Sequence, residues 1–321
     1  MLKKTQNIVI SGGGVNGLCH VGALRVIESL LDLPISSHFK GFAGTSIGSL
    51  LCLGLVCSCS IHTLYKYFQT FKIQLDNMMN NAGSFYPLDT IIDLILPFQH
   101  ITFAQLFSQT NKHFIVVATD ISNIHIQFFD HIETPNVLVK HAILASMAIP
   151  GLYPPVSIGN SLYVDGGIAL NFPFSAFIKK HTIGLCLQTT NRGCFKKMDI
   201  LDNSLLFCKI IGLSFYYTQD MQLHKLFFPK YRHRIVIIPT PLALPIVTGV
   251  DSIMMQQQGF MAAFLHFYQY KEFTNNHTII NVLRHGLLLY SRPYIHQQTC
   301  IIFTLFIVMV SFTFSELQIK K

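Results

Sequence analysis

Charged side chains are scarce in these 321 residues: Asp, Glu, Lys and Arg together make up only 12% of the chain. Half of the residues are hydrophobic and the mean hydropathy is +0.43, so the chain can bury a sizeable core and is expected to contact lipid. Paired cysteine motifs are also missing. The eight cysteines form no Cys-x-x-Cys pair, which argues against a zinc site or a disulfide framework and leaves them as small hydrophobes. The fifteen histidines show no His-Glu-x-x-His or other ligand spacing, and no run of carboxylates is spaced for calcium, so neither metal nor cofactor is expected. Internal repeats and low-complexity linkers are absent too, and turn residues recur regularly up to about residue 270. That pattern describes one continuous domain, taken as residues 1–280, followed by an extension at 281–321.

The few charges are unevenly placed. Beyond residue 180 lie 13 of the 23 Lys and Arg but only 6 of the 15 Asp and Glu. A basic half attracts nucleic acid or anionic lipid. With so little charge among so much Ile, Leu and Phe, a membrane surface is the expected partner and nucleic acid is not. Residues 293–315 contain no charged side chain and are flanked by Arg284, Arg292, Lys320 and Lys321. Their consistently apolar part, 299–314, falls short of a bilayer core of about 30 Å, so spanning would need its flanks or local thinning. The segment is expected to associate with a membrane, the alternative being a terminal element packed on the domain. The basic N-terminus is followed by an apolar run too short for a signal peptide, and the expectation is an intracellular, cytoplasmic and membrane-associated protein.

Residues 7–11 read as a buried strand, followed by glycines and by an amphipathic helix over 17–31 with Leu18, Val21, Leu24, Ile27, Leu30 and Leu31 on its apolar positions. Strand, glycine turn and helix open an α/β fold. A second strand is predicted at 39–43, then an almost wholly apolar helix from 47 to about 57, read as a central core helix rather than a membrane span. Strands follow at 114–119 and 124–129, a helix at 136–147, a hairpin over 156–164 turning at Gly159-Asn160, and strands at 183–187 and 234–238. The alternation predicts a mainly parallel central sheet with an antiparallel portion.

Three short motifs fall at strand ends. Gly44-Thr45-Ser46-Ile47-Gly48 lies between a strand and a helix, the context in which a sharp turn lifts a serine nucleophile clear of a sheet. Gly12-Gly13-Gly14-Val15-Asn16-Gly17 lies between the first strand and helix, where peptide N–H groups can face an anion. They would serve either as an oxyanion hole or, through Gly12, Gly14 and Gly17, as a dinucleotide cradle. The cradle also needs an acidic residue at the end of the second strand, but that place holds Gly44-Thr45-Ser46, and Asp32 sits at the end of the first helix. The oxyanion hole is therefore favoured. Asp165-Gly166-Gly167 ends a further strand; an Asp there is ordinarily a turn former, but it gains weight because the chain already offers a nucleophile and an oxyanion hole and lacks an obvious catalytic His.

Together with the long run Ala145-Ser-x-Ala-Ile-Pro-Gly-x-Tyr-Pro-Pro155, these motifs resemble those of the patatin-like phospholipase family, in the family's order. The resemblance is good over the motif-bearing core 7–190. It implies a three-layer α/β/α fold, a Ser-Asp dyad of Ser46 and Asp165, oxyanion glycines Gly12, Gly13 and Gly14, and calcium-independent hydrolysis of acyl esters in phospholipids, lysophospholipids or neutral glycerolipids. Gly17, Gly44, Gly48, Gly166 and Gly167 match supporting motif positions. Asn16 departs from the pattern, because the family usually places Arg or Lys there. Two rivals remain at this level. A Ser-His-Asp hydrolase would draw on His181, His233 or His285, and a catalytically silent lipid-binding scaffold would keep the fold alone.

Overall fold

In the computed structural model, the described residues are 1–80, 88–96, 100–189, 214, 230–240, 251–273 and 278–283. The segment 293–315 lies outside them. Among the described residues no helix is long and apolar enough to cross a membrane.

Among the described residues eight strands form one sheet: β1 (Asn7–Ile10), β2 (Gly41–Thr45), β3 (His113–Asp120), β4 (His125–Phe129), β5 (Val156–Ile158), β6 (Ser161–Asp165), β7 (Thr182–Thr189) and β8 (Ile235–Thr240). Their order is β5-β6-β3-β2-β1-β7-β8, with β4 paired to β3. β3, β2, β1, β7 and β8 run parallel, while β4, β5 and β6 supply the antiparallel portion. Helices among the described residues include α1 (Gly17–Leu31), α2 (Ile35–His38), α3 (Ile47–Val56), α4 (Ile61–Asn80), α5 (Leu88–Ile95), α6 (Phe103–Thr110), α7 (Val139–Ser146), α8 (Gly167–Leu170) and α9 (Ser252–Gln269).

The central strands are apolar on both faces because both faces are covered. Ile8 and Ile10 of β1 join a large core with Leu24 and Ile27 of α1, Leu50 of α3 and Phe260 of α9. Val9, between them, belongs to a second cluster with Ala43, Ile115, Phe172 and Phe174. The sheet is thus flanked on one face by long helices and on the other by the segment running from α8 into the 3-10 turn Phe174–Ala176. Every residue of α3 is buried, as a central core helix requires. α1 and α9 meet backbone to backbone, since a Cβ at Gly22 would land on the Gln256 carbonyl and one at Gly259 on the Cys19 carbonyl.

The antiparallel portion positions the site. Thr45, the last residue of β2, pairs with Val117, and Asp165, the last of β6, pairs with Ala118. β4 already occupies β3 from Val116 to Asp120 on one edge, so β6 must lie on the β2 edge, just past the end of β2. The two strands point their C-termini at each other, and the turn that leaves β2 after Thr45 meets Asp165.

Candidate active site

The first residue of that turn is Ser46. The passage from β2 into α3 is tight enough that a Cβ at Gly44 would strike the Gly48 carbonyl and one at Gly48 the carbonyls of Ile10 and Ser11. Both glycines are therefore imposed by backbone contact. Ser46 itself has φ 52° and ψ −129°, a left-handed conformation that costs a non-glycine residue about 1–3 kcal/mol and persists only where the surroundings enforce it. The enforcing contact is Ser146 of α7. Its Oγ accepts the Ser46 N–H at 2.8 Å and donates to the Val117 carbonyl at 2.6 Å.

Ser46 Oγ donates to Asp165 Oδ2 at 2.6 Å. The other carboxylate oxygen, Oδ1, accepts the Gly167 N–H at 2.8 Å. The Asp165 backbone is tied at both ends, by its N–H to the Ala148 carbonyl at 2.9 Å and by its carbonyl to Thr119 Oγ1 at 2.9 Å. Asp165 is wholly buried. Burial pushes its carboxyl from an ordinary 3.8 up to about 7, against the opposing pull of the Ser46 and Gly167 donors. The arrangement can take a proton from Ser46 at neutral pH, which an unperturbed carboxylate does poorly.

The glycine loop lies against the same serine. A Cβ on Gly12 would sit 3.2 Å from that of Ser46, and one on Gly17 would come within 2.7 Å of the Ile47 side chain. The structure narrows the expected set of three donors. Gly12 gives its N–H to the Asn171 carbonyl at 3.1 Å, so it contributes closeness rather than a free donor. The N–H groups of Gly13 and Gly14 make no hydrogen bond among the described residues. Gly14, at φ 54°, turns the loop into the 3-10 turn Gly14–Asn16. Asn16 is buried and its Oδ1 has no partner among the described residues. Behind the loop, His20 Nε2 lies 3.0 Å from the Ser11 carbonyl, and Ser11 Oγ accepts the Leu187 N–H at 3.0 Å. Burial lowers the His20 pKa to about 3, so the ring is neutral and donates to that carbonyl, bracing the loop.

Ser46, Asp165, the glycine loop and Gly44, Gly48, Gly166 and Gly167 thus converge at the C-terminal ends of the parallel strands. The two described histidines of the triad alternative do not. His181 and His233 precede β7 and β8, at the opposite end of the sheet, and His285 lies outside the described residues. Asp32 caps the far end of α1, remote from the glycine loop. Sequence reasoning gave no role to Ser146, although it lies within the run from Ala145 to Pro155. Besides holding Ser46, its carbonyl accepts the Gly166 N–H at 3.3 Å, so one residue fixes both halves of the Ser46–Asp165 pair. Ser146→Ala is expected to lower kcat on a dispersed short-chain ester roughly 10- to 100-fold with little change in KM, because a misplaced nucleophile harms turnover more than binding. A KM effect with unchanged kcat would remove this role.

A family model described as patatin-like phospholipase matches residues 8–178. The chain is 29% identical over 229 residues to an uncharacterized protein of Acanthamoeba polyphaga mimivirus, covering 65% of this chain and 75% of that one. It is also 29% identical over 194 residues to a probable lipid hydrolase of Invertebrate iridescent virus 6, covering 56% and 65%. Among solved structures, VipD from Legionella pneumophila superposes with a TM-score of 0.53 at 12% identity, over 83% of this chain and 67% of that one, which speaks for the fold alone. The matched span runs from β1 past Asp165 and takes in the glycine loop, the serine turn and α7 as well. On that footing the chain belongs to the patatin-like phospholipase family of lipid hydrolases.

Proposed function

We propose that this protein is a calcium-independent acyl hydrolase that cleaves fatty acyl esters of phospholipids or lysophospholipids with Ser46 as nucleophile and Asp165 as base. The observation that carries the reading is the 2.6 Å bond from Ser46 Oγ to a carboxylate whose pKa burial has raised to about 7. In the first step Ser46 Oγ attacks the ester carbonyl carbon while its proton passes to Asp165, and the negative oxygen is held by the N–H groups of Gly13 and Gly14. Collapse of the tetrahedral intermediate expels the lysolipid or glycerol alkoxide, which takes the proton from Asp165 and leaves an acyl-enzyme. Water, deprotonated by the same carboxylate, then releases the fatty acid and restores Ser46.

The intact dyad speaks against a silent scaffold, and the placement of His181 and His233 speaks against a triad. The association with membranes inside the cell rests on the composition and on residues 293–315. Incubating the purified protein with a mixed lipid extract, and recording which lipids vanish and which fatty acids appear, tests the activity. Hydrolysis should continue undiminished in EDTA, since peptide donors rather than a cation stabilise the oxyanion. Loss of turnover in EDTA that calcium restores would falsify the metal-free mechanism.

A further inference from the structure

Among the described residues the two ends of the sheet differ in charge. At the N-terminal end every parallel strand is preceded by a cation: Lys4 before β1, Lys40 before β2, Lys112 before β3, Lys180 before β7 and Arg232 before β8. At the catalytic end the described connections 11–16, 45–47, 121–124, 159–160 and 166–173 contain no Lys, Arg, Asp or Glu. Asp120 and Asp165, at the ends of β3 and β6, are buried. In place of charge the rim of this end carries exposed aliphatic side chains: Ile121 at 44%, Ile124 at 91%, Ile126 at 36% and Leu162 at 43%. A surface without ions enters a lipid headgroup layer with little desolvation cost, whereas a charged one does not.

Ile124 is the unusual member. It is almost fully exposed and adopts φ 55°, a conformation that a β-branched side chain strongly disfavours and that Asn or Gly would adopt easily. Neither packing nor backbone preference accounts for isoleucine at this position. The turn that presents it is rigidly built. Asp120 Oδ1 accepts the N–H groups of Ser122 and Asn123 at 2.8 and 2.9 Å. The Leu162 N–H donates to Ser122 Oγ at 2.9 Å, and the Ile121 N–H donates to the Leu162 carbonyl at 2.9 Å. Because Asp165 pairs with Ala118, Ile121 stands three residues further along the β3 direction, about 10 Å beyond the dyad.

We propose that the β3–β4 turn is the wedge by which the catalytic end seats on a lipid surface, with Ile121, Ile124 and Leu162 entering the acyl boundary. The inference rests on the lipid hydrolase reading and names the surface through which that site meets its substrate. It lies at the end of the sheet that carries the dyad, and the lack of charge in these described connections fits a bilayer rather than a charged protein partner.

The test uses the full chain, with Ile124→Asn and Ile121→Ser/Ile124→Asn, on two substrates: phosphatidylcholine vesicles and monomeric p-nitrophenyl butyrate. The ratio of vesicle to monomeric turnover should fall roughly tenfold in the double variant, as expected from withdrawing two aliphatic side chains from lipid. Butyrate turnover should hold, and Tm should stay level or rise because Asn tolerates the left-handed turn. Three outcomes overturn the proposal. They are an unchanged ratio, a fall matched by Lys40→Ala/Lys180→Ala at the opposite end, or a wild-type dimer that the Ile variants dissociate, which would assign the patch to a second copy. A wild type that binds vesicles of non-hydrolysable diether phosphatidylcholine through Ile124 yet cleaves neither substrate would instead defeat the hydrolase reading and leave the docking surface standing.

Discussion

Asp165→Asn should lower ester hydrolysis by at least about a thousandfold and, above pH 7, yield a more heat-stable protein than the wild type. The loss follows from removing the base. The gain follows from burial. A carboxyl whose pKa rises from 3.8 to about 7 on folding keeps its proton in the native state through a range where the unfolded chain has lost it. The contribution of Asp165 to native stability therefore declines as pH rises from about 4 to about 7 and is level above. At ~1.4 kcal/mol per pH unit, the ionised carboxylate costs on the order of 4 kcal/mol at pH 8. An asparagine avoids this cost and still satisfies its neighbours, its oxygen accepting the Gly167 N–H and its amide donating to Ser46 Oγ. Thermal unfolding at pH 5 and pH 8 checks the point: the advantage of Asp165→Asn should be small at the lower pH and full at the higher. The same ionisation sets the acid limb of wild-type kcat, which should fall tenfold per unit below about pH 7. A variant no more stable than wild type at pH 8, or an acid limb near pH 4, would mean that the carboxyl is not desolvated.

Ser46→Ala is expected to cost at least about 10⁴-fold in turnover and to abolish labelling by a fluorophosphonate, with the fold intact. Substituting any histidine should do less, because both carboxylate oxygens of Asp165 are already occupied by Ser46 Oγ and the Gly167 N–H. Alanine inherits the strained φ of 52° and strips Asp165 of a donor, whereas glycine adopts that conformation freely. Ser46→Gly should therefore be equally inactive yet more stable than Ser46→Ala by roughly 1 kcal/mol or more. A histidine variant that folds and matches the Ser46→Ala loss would replace the dyad with a triad.

Much of the architecture is legible in the sequence, and where the structure departs from the pattern the causes are physical. α1 falls at Gly17–Leu31, where its apolar spacing places it. β2 begins and ends two residues later than the predicted 39–43, because its glycines look like turn formers yet are held in register, Ile10 opposite Gly44 and Val117 opposite Thr45. α7 starts at Val139 rather than 136, since Leu138 is extended and bridges to Thr102. α4 and α9 lie outside the elements predicted from patterning, although Ile61, Leu64, Phe68 and Phe71 bury one helical face. At the site, Ser46, Asp165 and the glycines were legible because each is marked by its immediate neighbours. Ser146 was not, because its partner is 100 residues away, and the engagement of the Gly12 N–H by Asn171 was equally invisible.

The glycine contact between α1 and α9 bears on when the enzyme becomes active during synthesis. The motifs from the glycine loop to Gly167 leave the ribosome early, but the helix that seals α1, whose first turn carries that loop, ends at Gln269. Contacts so distant in sequence close late. At about 5–20 residues per second, roughly five to twenty seconds separate translation of Gly167 from that of Gln269. During that interval Ser146 can already hold Ser46 and Asp165, but α1 and the glycine loop at its start lack their backing helix, so full hydrolytic activity is expected only once α9 has been made.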